Sequence, residues 1–230
     1  MERYIEKIIN GETYLVKSPE WVAEQNRVLE EYRIKTSNIP IHVQGLDLAS
    51  YISTDRTIPR KLDIYICEFE KKFKNIHLYF WSHENGTQKT TMAGIVGNRL
   101  LQAGHTVQFV SMGDLVHHLQ ERQFDEELDP LVDLYKTCEF LIIDDAFDKR
   151  KATMYKSGWQ ISFLDQFLRY RLETVRLATC FTSNFAVNEI DENVFGISVK
   201  KLVERSIPDP FQFTTLYQQR NKFNPNDLWS

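Results

Sequence analysis

Four short runs dominated by apolar residues recur between residues 75 and 184: NIHLYFWS (75–82), HTVQFVSM (105–112), CEFLIIDD (138–145) and LATCFTSN (177–184). Each has the length of a strand rather than a helix, and each is apolar without strict alternation, as strands buried on both faces are. Helical patterns separate them: residues 90–103, closed by Gly104, then 114–122, then 159–170. Parallel strands need a crossover between them, and a helix is the usual one. This alternation therefore predicts an α/β core over residues 75–205, a parallel sheet flanked by helices.

Ahead of that core, residues 2–9 read as a short amphipathic segment closed by Asn10-Gly11. SPEWVAEQNRVLEEYRIK follows as a helix, with Ser18 as N-cap and Pro19 at the first helical position. Trp21, Val22, Val28, Leu29 and Tyr32 recur along it at helical spacing. SNIP breaks the pattern, and a further helix is expected over 59–74. The division expected is a helical N-terminal extension, residues 1–57, and a core with a short tail, residues 58–230.

Several function classes can be set aside. Hydrophobic content of 42% and charged content of 26% are ordinary for a soluble globular protein. No window approaches about 18 uninterrupted apolar residues, so no membrane span is expected. The opening MERYIEKIING has no apolar signal core, and a cytoplasmic location is expected. The three cysteines, Cys67, Cys138 and Cys180, are far apart in apolar runs and form no zinc or redox pair. The net charge of −4 is unevenly spread: residues 121–148 hold ten acidic and two basic side chains, residues 149–176 seven basic and two acidic. The second stretch can offer a basic face, or simply a solvated one.

The chemistry gathers at the strand ends. After YFW comes SHENGTQKTT, a polar turn leading into a helix. The phosphate-cradling pattern G-x-x-x-x-G-K-[ST] aligns on Lys89, with His83 and Gln88 at the two glycine positions and only Gly86 inside the turn. In such a turn, main-chain N–H groups face an anion, Lys89 reaches the β/γ-phosphates and Thr90 serves Mg²⁺. An ordinary strand-to-helix turn with a solvated lysine fits the same residues. Asp144 and Asp145 leave an apolar strand at its carboxyl end, where open α/β sheets bind ligands. One carboxylate there can hold Mg²⁺ and its neighbour can activate water, although turn aspartates read alike. FTSN places Asn184 at a third strand end. Arg205, in VKKLVERSI, fits an arginine reaching a neighbouring subunit's phosphates as well as a helix-terminal surface arginine.

GTQKTTMAGIVGNRLLQAGHTVQFVSMGDLVHHL, FLIIDDAF, FTSN and LVERS, in this order, resemble the AAA+ helicase loaders of the DnaC/DnaI type, over residues 58–205 with a looser echo to Arg220. The transposition ATPases of the IstB type share most of these marks and stay an alternative. The resemblance implies a P-loop AAA+ core without a C-terminal lid, with ATP and Mg²⁺ as cofactors. It makes Asn85, Gly86, Thr87, Gln88, Lys89, Thr90 and Thr91 the phosphate loop, and Thr90 and Asp144 the Mg²⁺ ligands. Asp145 becomes the catalytic acid, Asn184 a sensor, and Arg205 a finger acting through self-association. It further implies a hexameric replicative helicase and single-stranded DNA as partners, in a bacterium or a bacteriophage. Helicase contact falls to the expected helices around Ile5 and Trp21 to Tyr32, and DNA contact to the basic stretch 149–176. A related scaffold that has lost ATP turnover is the other reading.

The departures that matter are in the phosphate loop: Gln88 adds a side chain where close approach is needed, and His83 removes flexibility at the loop's entry. Glycine closes such a loop without steric cost, whereas another residue in a left-handed conformation costs about 1–2 kcal/mol. The expectation is weakened nucleotide binding, a weak ATPase, and tighter ATP binding in a Gln88→Gly variant.

Overall fold

The computed structural model describes residues 3–9, 12–53, 56–124, 130–148 and 158–214. The core sheet has five parallel strands: β3 (Leu78–Trp81), β4 (Val107–Ser111), β5 (Phe140–Asp144), β6 (Ala178–Ser183) and β7 (Phe211–Gln212), in the spatial order β4-β5-β6-β3-β7. Chain order thus reverses beside β3. From β3 the chain crosses to the far strand β4, returns through β5 and β6, and ends with β7 on the opposite side of β3. Open α/β sheets bind ligands at such a reversal, outside the carboxyl ends of the strands.

The residues alternate between the two faces, and both faces are dry. In β5, Phe140 and Ile142 belong to one buried cluster, while Leu141 and Ile143 belong to the other. The first cluster holds α2 (Thr57–Cys67) and α3 (Lys89–Gln102); the second holds α4 (Met112–Phe124), α5 (Pro130–Thr137), α6 (Gly158–Arg169) and α7 (Glu192–Ser206). The four expected strands and their crossover helices stand where the apolar pattern places them. Helix α5, inside the acidic run, and the two-residue strand β7 were not expected from sequence.

The segment around Ile5 corrects an expectation. It is not a helix but strand β1 (Tyr4–Ile9), paired antiparallel with β2 (Glu12–Lys17) in a register that joins Ile9 to Glu12. Ile5, Ile8 and Ile9 do have helical spacing. Isoleucine is nevertheless β-branched, and Asn-Gly followed by ETYLVK is the stronger signal for a two-residue hairpin. The hairpin leads into α1 (Pro19–Thr36), whose first turn is capped by the Ser18 hydroxyl accepting from the Trp21 N–H at 3.4 Å. Arg3 and Lys17 lie over the Trp21 ring, 5.1 and 5.8 Å from its centroid.

Between α1 and α2 the chain packs into the core rather than standing apart from it. Ile39, Val43, Leu48 and Tyr51 are buried with α3. The approach is close because α3 carries two glycines here: a Cβ on Gly94 would lie 2.7 Å from Val43 Cγ1, and one on Gly97 2.9 Å from Ile142 Cδ1.

The basic stretch 149–176 is not one surface. Residues 149–157 lie outside the described residues. Arg171 is wholly buried and donates to the carbonyls of Tyr135, Cys138 and Ala178 and to the Thr179 hydroxyl, tying a π-helical turn (Tyr170–Thr174) to the sheet. Arg169 is engaged by Asp165 and Glu173. Of the expected DNA-facing arginines described, Arg176 is the one standing exposed without an ion pair. Among the described residues no helix is long and apolar enough to cross a membrane. Arg220 lies outside them, as does the tail in which no lid was expected.

Candidate functional site

At the carboxyl ends of β3, β5 and β6, a cleft of about 510 Å³ is lined by Asn85, Gly86, Thr87, Gln88, Lys89, Thr90, Thr91, Asp144, Asp145 and Asn184, with His42 on its other wall. Ten sequence-predicted site residues are therefore brought together, by three strands whose order the sheet topology fixes. Arg205 is not among them. It sits in the last turn of α7 and pairs with Glu173 on its own chain, with its side chain largely exposed.

The turn after β3 is built from its own polar groups. The Ser82 hydroxyl accepts from the Glu84 N–H at 3.2 Å, and the Thr87 hydroxyl donates to the Glu84 carbonyl at 3.3 Å. Lys89 is folded back over the turn, its Nζ 3.0 Å from the Glu84 carbonyl, 3.2 Å from Thr87 Oγ1 and 3.4 Å from the Ser82 carbonyl. Burial pushes the Lys89 ammonium below its ordinary pKa, against the opposing pull of Asp145 and Asp144. Among the described residues, the main-chain N–H groups of residues 85–88 donate to no other group in the chain. Together with the amino end of the fourteen-residue helix α3, that is the donor set a phosphate chain requires.

On the facing wall, Asp144 Oδ1 accepts from the Thr90 hydroxyl at 2.8 Å and from the Thr182 hydroxyl at 2.5 Å. Burial raises the Asp144 pKa, while these two hydrogen bonds act to lower it. The 2.8 Å spacing of the Thr90 and Asp144 oxygens fits two neighbouring ligands of Mg²⁺, which at about 2.0–2.1 Å from the ion lie roughly 3 Å apart. Thr182 Oγ1 also accepts from the Asp145 N–H at 3.1 Å. Asp145 itself has a left-handed backbone, φ +52°, and Ala146 N–H closes onto the Thr182 carbonyl at 2.7 Å. The two aspartates thus leave β5 in different directions, one half-buried beside Thr90 and one exposed at the cleft.

Gln88 adopts the left-handed conformation its position demands, with φ +69° and ψ +14°. His83 does not have a positive φ, so the first glycine of the pattern is not required by this backbone. The Gln88 side chain points out of the turn: its Oε1 accepts from the Ile52 N–H and its Nε2 donates to the Ile52 carbonyl, both at 3.2 Å. The left-handed cost of about 1–2 kcal/mol is matched in size by two hydrogen bonds of about 0.5–1.5 kcal/mol each.

Two site residues escaped the sequence reading. Thr182 was legible only as the start of a polar strand end. Its place beside Asp144 follows from the β5–β6 register, in which Ile143 pairs with Phe181. His42 carries no local signal. It is delivered by a one-turn 3₁₀ segment (Ile41–Val43), which Asn98 Nδ2 holds through the Val43 carbonyl at 3.1 Å.

The profile of the family described as IstB-like ATP binding protein matches residues 13–194. Among solved structures, the DnaC helicase loader superposes with a TM-score of 0.64 at 15% identity, covering 76% of this chain and 100% of that one. DnaI gives 0.61 at 19% identity, covering 77% and 93%. AMPPCP-bound DnaA from Aquifex aeolicus gives 0.58 at 15% identity, covering 74% of this chain and 50% of that one. At these identities the likenesses concern the fold, that of P-loop AAA+ proteins. No curated protein sequence matches significantly.

Proposed function

Because this chain belongs to the family of IstB-like ATP-binding proteins, we propose that the cleft binds ATP with Mg²⁺ and that the protein loads a hexameric replicative helicase onto single-stranded DNA. The observation carrying the nucleotide part is the convergence of Lys89, Thr90, Asp144, Asp145 and Asn184 in one cleft at the reversal of strand order. Lys89 leaves the turn carbonyls for the β/γ-phosphates, and the free N–H groups of residues 85–88 take the remaining phosphate oxygens. Thr90 and Asp144 hold Mg²⁺, which when bound neutralises charge on those phosphates. Asp145, exposed at the cleft, orients and deprotonates an attacking water, and Asn184 holds that water from the β6 side. Arg205 is free to act only on a neighbouring copy, after leaving Glu173.

The loader part is supported by the likeness to structures described as helicase loaders and by the N-terminal surface. Ile8 and Leu15 on the hairpin are 74% and 73% exposed, and Val28, Leu29 and Tyr32 on α1 are also exposed. These exposed apolar side chains are the ones we assign to helicase contact. Co-purification of the full chain with hexameric replicative helicases, with and without ATP, tests the reading. Retention reduced by Ile8→Asp and Leu15→Asp is expected, and absence of any association under either condition refutes it. The left-handed Gln88 favours a second reading, an adaptor that binds the helicase with little ATP turnover. ATPase rates equal in wild type and Lys89→Ala would select it.

A further inference from the structure

Gln88 stands where loops of this pattern carry a glycine, and its side chain does something a glycine cannot. Its carboxamide meets the main chain of Ile52, 36 residues away, through two opposed hydrogen bonds, the arrangement of a single antiparallel bridge. Ile52 follows Tyr51, whose buried ring lies edge-on to Phe213 at 5.9 Å, and Phe213 N–H donates to the Trp81 carbonyl at the end of β3 at 2.8 Å. Arg56 braces the same stretch by donating to the Tyr51 carbonyl at 2.9 Å and the Leu48 carbonyl at 3.4 Å. At the other end, Asn98 holds the Val43 carbonyl and so places His42 on the cleft wall. Residues 39–52 are thus fastened to the phosphate turn and its helix by two side-chain amides, one from Asn98 and one from Gln88.

We propose that Gln88 is a positioning residue: its carboxamide latches residues 39–52 onto the phosphate turn, and the latch sets the affinity of the cleft for nucleotide. The main chain of Gln88 belongs to the turn that surrounds phosphate, while its side chain carries the wall on which His42 sits. A shift of the turn on phosphate binding is therefore felt at Ile52, and a fixed Ile52 holds the turn in shape before phosphate arrives. The residue at the glycine position is then a replacement with its own task. This inference rests on the nucleotide reading of the cleft.

The test compares the full chain with Gln88→Gly, which removes both the left-handed strain and the latch, and with Gln88→Asn. Asparagine tolerates the left-handed backbone but is one methylene too short to reach Ile52. Amide hydrogen exchange at Ile52 is read without nucleotide, titration with a fluorescent ATP analogue gives affinity, and thermal unfolding reports global stability. Ile52 is expected to exchange faster by about tenfold in both variants, the loss of roughly 1.4 kcal/mol of local hydrogen bonding. Nucleotide affinity is expected to fall in both, which for Gln88→Gly reverses the expectation from sequence, and the melting temperature is expected to drop by no more than about 3–6 °C. Unchanged exchange at Ile52 overturns the latch, and tighter nucleotide binding by Gln88→Gly overturns the link to affinity, since strain alone would then govern the loop. A wild-type chain that binds no nucleotide refutes the reading of the cleft and the affinity half of the proposal. It is told apart from failure of the latch because the Ile52 measurement needs no nucleotide.

Discussion

Replacing Thr182 by valine removes one buried hydroxyl and leaves the shape of β6 nearly intact. That hydroxyl donates to Asp144 Oδ1 at 2.5 Å and accepts from the Asp145 N–H at 3.1 Å, so it joins both aspartates to the neighbouring strand. A hydrogen bond to a charged group contributes about 1.5–3 kcal/mol. Leaving the Asp145 amide without its partner adds about 1 kcal/mol, the low end of such penalties, because Asp145 is exposed and water can replace the hydroxyl. Removing the hydroxyl's own desolvation offsets part of this, for a net loss of about 2–3 kcal/mol. For a chain of this size that lowers the melting temperature by roughly 4–12 °C. The functional effect runs through Asp144, whose carboxylate keeps only the Thr90 donor and becomes harder to ionise in its buried place. Nucleotide binding in Thr182→Val should therefore lose part of its Mg²⁺ dependence, and the remainder should fade at a higher pH than in wild type. Differential scanning calorimetry and ATP titrations with and without Mg²⁺ check both. A variant with wild-type melting temperature and wild-type Mg²⁺ dependence would show that Thr182 does not organise the acidic wall.

Asp144→Asn keeps an acceptor for Thr90 and Thr182 but removes a charge that burial disfavours. Because the folded pKa of Asp144 lies above its unfolded value, wild-type stability rises as pH falls through that folded pKa, and the ionised form is a cost at neutral pH. The variant should melt higher than wild type at pH 7, with the gap closing in acid, and should lose Mg²⁺-dependent nucleotide binding; a lower melting temperature at pH 7 would contradict this. Arg171→Met strands the carbonyls of Tyr135, Cys138 and Ala178 beneath the sheet and should cost about 3–5 kcal/mol, a drop of more than roughly 6 °C in melting temperature. A change under 2 °C in a thermal melt would show that the guanidinium is not a structural tie.

The core was legible because burial on both faces leaves a signature that survives without context: FLIID and ATCFTS can be little else than central strands. The strand ends were legible for the same reason, since polar residues stop an apolar run abruptly. What sequence missed depended on pairing over distance. Strand β7 is two residues long and exists because Phe211 and Gln212 find β3. Ile5, Ile8 and Ile9 fit helix spacing, and only their register against β2 settles them as a strand. Arg171 looks like one charge in a basic run until its four oxygen acceptors are seen. Gln88 was readable as a misfit in its loop. Its partner Ile52, separated by 36 residues, was not.

Whether the cleft is a nucleotide site is measured directly by calorimetric titration of the full chain with ATP and Mg²⁺, beside Lys89→Ala. Saturable binding is expected, at least tenfold weaker in Lys89→Ala or without Mg²⁺, a difference of about 1.4 kcal/mol or more. Equal affinity in wild type and Lys89→Ala, or no binding by either, would contradict it.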